Sequence, residues 1–414
     1  MPRFLSPYRV LLRMPGTARF LIASFIARLG MAMIGVSSIV MIATRRDSYA
    51  LAGLVSFVSL MAMAIGSPLV ARLVDRFGQA RVVVPTGLLA IGCAALVALE
   101  TYTGAPDWLL LVTGLGQAFA PATGTYVRSR WVHILGDDPE ALHTATSFES
   151  VSEEACFMIG PALGAFLAAA VFPEAGVLVA CALSLVGLLV LMAHRASEPP
   201  VTPVGEHHGG AAVRAPGLFG LAITVALTGA IFGSLDVVVI AYAEAENAKE
   251  LGGVILGVFA GGSLIGGLLY GLMPSGGRLA GRITIGTLAM FVLLIPALWT
   301  PNLLVLSINA LVAGLAIAPL IITTMLLAQR LVPASQLNEG MTVVLTGVLV
   351  GVAVGSAGAG QAIETIGAHD AFLVPVIAAG LAFVLALLWR RGLVRAEEAA
   401  AARVAAAPRD AVSA

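Results

Sequence analysis

"YALAGLVSFVSLMAMAIGSPLVARLVDRFGQAR", residues 49–81, decides the fold. Its first part, 49–70, is an unbroken apolar run. Its last part carries Arg72, Asp75, Arg76 and Arg81. About 20 apolar residues are enough to cross a hydrocarbon core ~30 Å thick as a helix. An apolar run that ends in a basic cluster therefore reads as one membrane span and the polar loop after it.

The rest of the chain repeats this pattern. Of 414 residues, 59% are hydrophobic and 11% charged, against roughly 25% charge in a soluble domain. Net charge is zero, which argues against nucleic acid as a partner. Twelve apolar runs lie near 18–43, 49–70, 81–102, 108–131, 146–172, 175–193, 217–243, 251–273, 281–300, 302–328, 338–363 and 370–390. Backbone polar groups in lipid must be satisfied within the segment, so these runs are helices. Apolar and polar residues do not alternate, which excludes a strand barrel. The basic start followed by 18–43 resembles a signal peptide. That run is too long for one and has no clear cleavage site, so it reads as a retained first span.

Arginine and lysine set the orientation. One side collects Arg3, Arg9, Arg13, Arg19, Arg72, Arg76, Arg81, Arg128, Arg130, Arg195, Arg214, Arg278, Arg282, Arg330 and the tail from Arg390. The other side has only Arg45, Arg46 and Lys249. The basic side is expected to be cytoplasmic, with both termini there.

The chain also repeats itself. At a shift of 200 residues Ala52-Gly53 falls on Gly252-Gly253, Gly66 on Gly266, Gly114-Leu115 on Gly314-Leu315, and Arg130 on Arg330. Further on the register slips, and "GPALG" at 160–164 matches "GVAVG" at 351–355. The expected fold is all-α and integral to the membrane, with 12 spans in two pseudo-symmetric six-helix bundles, 1–195 and 217–391. A cytoplasmic linker at 196–216 and a tail at 392–414, a frayed helix or disordered, complete it. Parallel repeats of this kind occur in transporters whose site lies between the repeats near the midplane.

The loop quoted first then points to a family. Asp75, Arg76, Phe77 and Gly78 match the loop signature G-x-x-x-D-R/K-x-G-x-R/K-R/K of the major facilitator superfamily, which the chain resembles over about 15–391. Arg81 supplies the last basic residue, Ala71 replaces the first glycine, and Ala80 replaces the first residue of the basic pair. The second copy keeps Gly271 but has Ser275 in place of the aspartate. The resemblance implies a cytoplasmic latch of Asp75, Arg76, Gly78 and Arg81; the uninterrupted apolar sequence of the fifth run begins only at Ala155, so Glu149 reads as a cytoplasmic boundary residue that pairs with Arg128 or Arg130. A second resemblance is to the helix-five G-P-x-x-G-G element of drug/proton antiporters, here Gly160, Pro161 and Gly164, with Ala165 in the last place. It implies a bend in the fifth span, and export.

Charges inside apolar runs are functional candidates. Arg28 lies roughly 15 Å into the first span, where it needs a carboxylate or a substrate as partner. Asp236 lies in the outer half of the seventh span. In the fifth, Glu149 and Glu153 share the face of Gly160, while Glu154 points about 100° away from Glu153. Proton-coupling candidates are Glu153, Glu154 and Asp236. Cavity candidates are Arg28, Gln117, Thr123, Tyr126 and Asn309.

Cys93, Cys156 and Cys181 lie far apart in apolar runs and read as small fillers. His207-His208 reads as a solvated pair, so no metal or other cofactor is expected. No nucleotide-binding glycine loop and no HExxH motif occur, which argues against ATP-driven transport and against a zinc enzyme. The expectation is a non-enzymatic, monomeric, proton-coupled exporter of a small molecule in a bacterial cytoplasmic membrane. Uptake of a sugar or carboxylate, and a non-transporting sensor, are the alternatives.

Overall fold

Helix ends in the computed structural model fall where the sequence supplies caps. The structure describes residues 17–135, 138–199, 217–271, 278–332 and 337–406. The arginines at 3, 9, 13 and 214 and the His207-His208 pair lie outside them.

The first half contains α1 (Thr17–Arg46), α2 (Tyr49–Phe77), α3 (Gln79–Thr103), α4 (Asp107–Gly114), α5 (Thr123–Leu135), α6 (Pro139–Ala170) and α7 (Ala175–Ala193). The second contains α8 (Leu218–Ala245), α9 (Lys249–Gly271), α10 (Leu279–Leu294), α11 (Leu303–Gly314), α12 (Ile317–Leu331), α13 (Leu337–Ile366) and α14 (Leu373–Ala406). Ser48 caps α2 by accepting from the Leu51 amide, Asp138 caps α6 through Ala141, and Asn302 caps α11 through Val305. Gly104, at φ 73°, closes α3 in the left-handed region.

Among the described residues, 11 helical segments are long and apolar enough to cross a membrane. The run at 108–131 is the exception, because it is broken. After α4 the chain makes a 3-10 turn, Leu115–Phe119, and then passes through Ala120-Pro121-Ala122 before α5. Pro121 has no N–H to donate and keeps Ala120 extended, at φ −61° and ψ 125°. The tenth run also breaks, between α11 and α12, one residue past Gly314.

The repeated glycines mark backbone crossings. A Cβ on Gly66 would meet the Ala118 carbonyl at 2.1 Å, and a Cβ on Gly266 would meet the Leu315 carbonyl at 2.1 Å. Each glycine lets the break in the fourth or tenth run lie directly against its neighbour. The slipped register holds as well. Gly160 and Gly164 lie against Ala32 and Met33 of α1, and Gly351 and Gly355 against Ala226 and Ala230 of α8. Close packing through small residues is the expected driving force where lipid removes the hydrophobic one.

The chain forms two compact units. One comprises residues 1–206 with Val239–Gly257, the other His207–Val238 with 258–414. In the first unit α1 packs most extensively on α7 and α6. Its core includes Phe20, Val83, Val127, Trp131 and Leu191. In the second unit Leu218, Ile283, Leu327, Val344 and Leu393 form the core.

The described part of the tail is helical, one of the two expected forms. α14 continues as helix to Ala406. Its Ala, Glu and Arg content favours helix. Glu397 also anchors it, accepting from the Leu279 and Ala280 amides at 3.0 and 3.3 Å and so capping α10.

Candidate functional site

Arg28 sits about 16 Å along α1 and is 8% exposed. Glu149 of α6 is fully buried and pairs with it. Arg28 Nη2 also donates to Ser24 Oγ at 2.6 Å, and Trp131 Nε1 of α5 donates to Glu149 Oε1 at 3.1 Å. Three helices thus close around one charge pair. The pair has neutral hydrogen-bonding neighbours, as a buried pair needs to hold together.

This placement corrects the reading of Glu149 as a boundary residue for Arg128 and Arg130. The correction has a simple cause. α6 begins at Pro139, well before the apolar run, so Glu149 already lies inside the bundle. At 32 residues, α6 is roughly 48 Å long and overruns a bilayer. Glu153, one turn further, pairs with Arg128 instead, in a partly exposed position. The Glu154 side chain lies outside the described residues.

Arg130 is fully buried and has a different role. It donates to the Leu191 and His194 carbonyls at 2.9 and 3.1 Å, to Ser197 Oγ at 2.9 Å and to Gln79 Oε1 at 2.8 Å. It therefore caps the last carbonyls of α7. Gln79 also donates to Ser129 Oγ at 2.7 Å. The Glu198 carboxylate accepts from the Ala80 amide at 2.9 Å. Glu397 binds the amides of α10 in the same manner, with Arg330 Nη1 at 3.5 Å. Of the other latch residues, Gly78 (φ 91°) makes the turn between α2 and α3, Arg76 lies over the Phe77 ring at 5.1 Å, and Arg81 is exposed. The Asp75 side chain lies outside the described residues.

Asp236 is unlike every charge above. It lies in α8, roughly 27 Å from the start of that helix. It is half-buried and has no hydrogen-bond or ion-pair partner among the described residues.

The polar cavity candidates are tied to backbone. Gln117 Nε2 donates to the Ala90 carbonyl at 3.1 Å, and Asn309 Nδ2 to the Leu293 carbonyl at 2.9 Å. Each joins its run to the preceding helix. Tyr126 is buried. Gln117 and Thr123 border a small cavity in the first unit, with Ala27, Met31, Pro121 and Ser184. Gly160 and Gly164 face α1, and Pro161 lies between them within α6.

Sequence reasoning did not single out several placed residues. Trp131 holds Glu149. Glu100 is buried and accepts from Thr113 Oγ1 at 2.7 Å. Arg45 grips Glu174 at 2.6 and 3.1 Å, and that hydrogen-bonded guanidinium holds the Glu174 carboxyl below its usual range. Tyr49, Glu244, Lys249 and Thr44 form a cluster joining the α1–α2 and α8–α9 turns. The repeat was the available signal for this cluster, since positions 44 and 244, and 49 and 249, are mates.

A repeated bundle of apolar helices with charge buried at mid-span is the architecture of a membrane transport protein. A family model described as Major Facilitator Superfamily matches residues 20–291, and the chain belongs to that superfamily of transporters. The chain is similar to the uncharacterized MFS-type transporter y4rN of Sinorhizobium fredii, at 26% identity over 404 residues, 92% of this chain and 95% of the relative. Its fold is that of peptide transporter POT, solved as a mutant in complex with alafosfalin, with TM-score 0.70 and 14% identity over 96% of this chain and 99% of that one. A mutant of the nucleoside transporter NupG gives TM-score 0.69 and 15% identity over 90% and 99%. A bacterial homologue of the iron transporter ferroportin gives 0.67 and 17% over 90% and 98%.

Proposed function

We propose that this transporter moves a small solute outward by alternating access, driven by protons entering through Asp236. One observation carries the reading: Asp236 is a carboxylate within a span that has no partner among the described residues, whereas Arg28 and Glu149 neutralise each other. An ionisable group kept inside a span without a structural partner is a candidate for carrying a proton or a cation. The helix-five element Gly160-Pro161-x-x-Gly164 supports export, through its resemblance to drug/proton antiporters. Arg28 is the group proposed to meet the solute, exchanging Glu149 for it during the cycle. Glu153 is the second proton candidate, released from Arg128 when α5 and α6 shift. The distribution of arginine supports both termini on the inner side of a bacterial cytoplasmic membrane, and the chain acts as a monomer.

Proteoliposomes with an imposed pH gradient and a solute panel test this reading. An acidic lumen is expected to drive solute into inside-out vesicles. Asp236→Asn is expected to lose gradient-driven flux, at least tenfold, while solute exchange at equal pH persists. Flux that ignores the gradient, or gradient-driven flux that survives Asp236→Asn, rejects proton coupling at this residue.

A further inference from the structure

The last helix of the second unit is longer than the membrane is thick. α14 has 34 residues and is roughly 51 Å long, against a hydrocarbon core of ~30 Å. Ile377, Leu381, Val384 and Leu388 along it are exposed. At about 100° per residue they fall within about 60° of one another. They form one apolar stripe, and on a membrane span such a stripe meets lipid.

Arg391 and Arg395 continue the stripe. Arg395 falls in line with Ile377, and Arg391 about 40° to one side. Counted from Leu373, a ~30 Å core ends about 20 residues on, between these two arginines. Both therefore stand at the level of the headgroups. Both are exposed, and neither has a hydrogen-bond or ion-pair partner among the described residues.

This part of the helix is fixed in place. Leu393 and Ala396 are buried in the core of the second unit. Gly217 lets the entry to α8 lie against both, since a Cβ there would meet Leu393 Cδ2 at 3.2 Å and Ala396 Cβ at 3.3 Å. Glu397 caps α10, and Arg278 Nη2 pairs with Glu398 Oε1 at 2.8 Å. Arg278 itself is exposed, in line with the exposed Ile285 and Val292 of α10 at seven-residue spacing. The first half ends differently. Its α7 stops at Ala193, and the arginine that follows, Arg195, is paired with Glu198 at 3.3 Å.

We infer that Arg391 and Arg395 bind the phosphate of an anionic phospholipid whose acyl chains lie on the stripe from Ile377 to Leu388. Guanidinium groups make paired hydrogen bonds to phosphate oxygens. Basic residues just beyond a span are a setting in which anionic headgroups bind. A zwitterionic headgroup brings its own cation and leaves the arginines uncompensated. A free phosphate makes no use of the stripe, whereas a lipid occupies stripe and arginines together. Lipid binding at this face is independent of proton coupling and of export.

Native mass spectrometry of the full chain tests the site, in detergent supplied with phosphatidylglycerol and phosphatidylcholine of the same acyl chains. The wild type is expected to retain phosphatidylglycerol in preference. Each arginine near an anionic headgroup is worth about fivefold in binding, so Arg391→Gln with Arg395→Gln is expected to weaken phosphatidylglycerol binding about 25-fold. Arg390 points about 100° away from Arg391, and Arg19 lies at the start of α1. Arg19→Gln with Arg390→Gln removes the same charge off the stripe and is expected to weaken binding less than about threefold. A wild type without preference for phosphatidylglycerol overturns the site. So does a loss in Arg391→Gln with Arg395→Gln no larger than that in Arg19→Gln with Arg390→Gln. Inorganic phosphate in excess is expected to leave the lipid bound. Displacement by it would assign the arginines to a free anion and overturn the lipid. Size-exclusion profiles establish that each variant is folded.

Discussion

The two halves treat a charge inside a span in opposite ways. In α1, Arg28 is enclosed by Glu149, Ser24 and, through Glu149, Trp131. In α8, Asp236 stands half-buried with no partner among the described residues. Neither is copied by the repeat: position 228 is a threonine and position 36 a valine. The repeat thus shares the scaffold but not the charges, of which one is compensated and one open. A compensated pair holds helices together until something competes for it. An open carboxylate holds nothing together and is available for exchange.

The sharpest way to break the comparison is to open the compensated side. Glu149→Gln leaves Arg28 buried with no counter-charge. Removing one partner of a buried pair costs about 3–5 kcal/mol, so a marked fall in thermal unfolding temperature in detergent is expected. Replacing both, Arg28→Met with Glu149→Leu, is expected to recover most of that loss, since an apolar substitute for a buried pair is often neutral. If the double variant is no more stable than Glu149→Gln, the two residues do not act as a pair.

A pair outside the spans gives a smaller effect of known sign. Arg45 lowers the Glu174 pKa relative to its ordinary value of 4.5. A carboxyl depressed in the folded state stabilises above its unfolded pKa and loses that contribution as pH falls through the folded value. Stability from this pair is therefore full at neutral pH and declines in acid below about pH 4.5. Arg45 is over a third exposed, so Glu174→Gln is expected to cost under about 1 kcal/mol at pH 7 and less in acid. Unfolding temperatures of both chains at pH 7 and pH 4 check this. A deficit that grows in acid contradicts the sign.

Much of the fold was legible because lipid leaves few alternatives. Apolar runs with arginine at one end gave the helices, and the glycines at 66 and 266, which marked the repeat, lie at backbone crossings. The broken fourth run was less legible. Pro121 announces a break, but only packing decides that a 3-10 turn fills it. At the site, the sequence required Arg28 to have a partner and offered three glutamates in one stretch. Choosing Glu149 depends on where α6 begins, and the Pro139 start lies in a polar segment that hydropathy cannot assign to a helix. Gln79 falls on an open position of the signature, yet its carbonyl supports Arg130, a contact between residues 51 positions apart. Local pattern carries no trace of such pairings.

The smallest stability effect belongs to Asp236, and it separates the two regions most clearly. A side chain without partners contributes no pair energy, so Asp236→Asn is expected to change stability by no more than about 0.5 kcal/mol. Burying a charge without compensation is itself unfavourable, which makes a slight gain the natural direction. The same substitution is expected to abolish gradient-driven flux. Loss of coupling with stability retained is the signature of a group kept for exchange rather than for folding. Glu149→Gln has the opposite profile, with stability lost first. An unfolding temperature for Asp236→Asn that falls as far as that of Glu149→Gln would mean the carboxylate is structural, and the contrast between the halves would disappear.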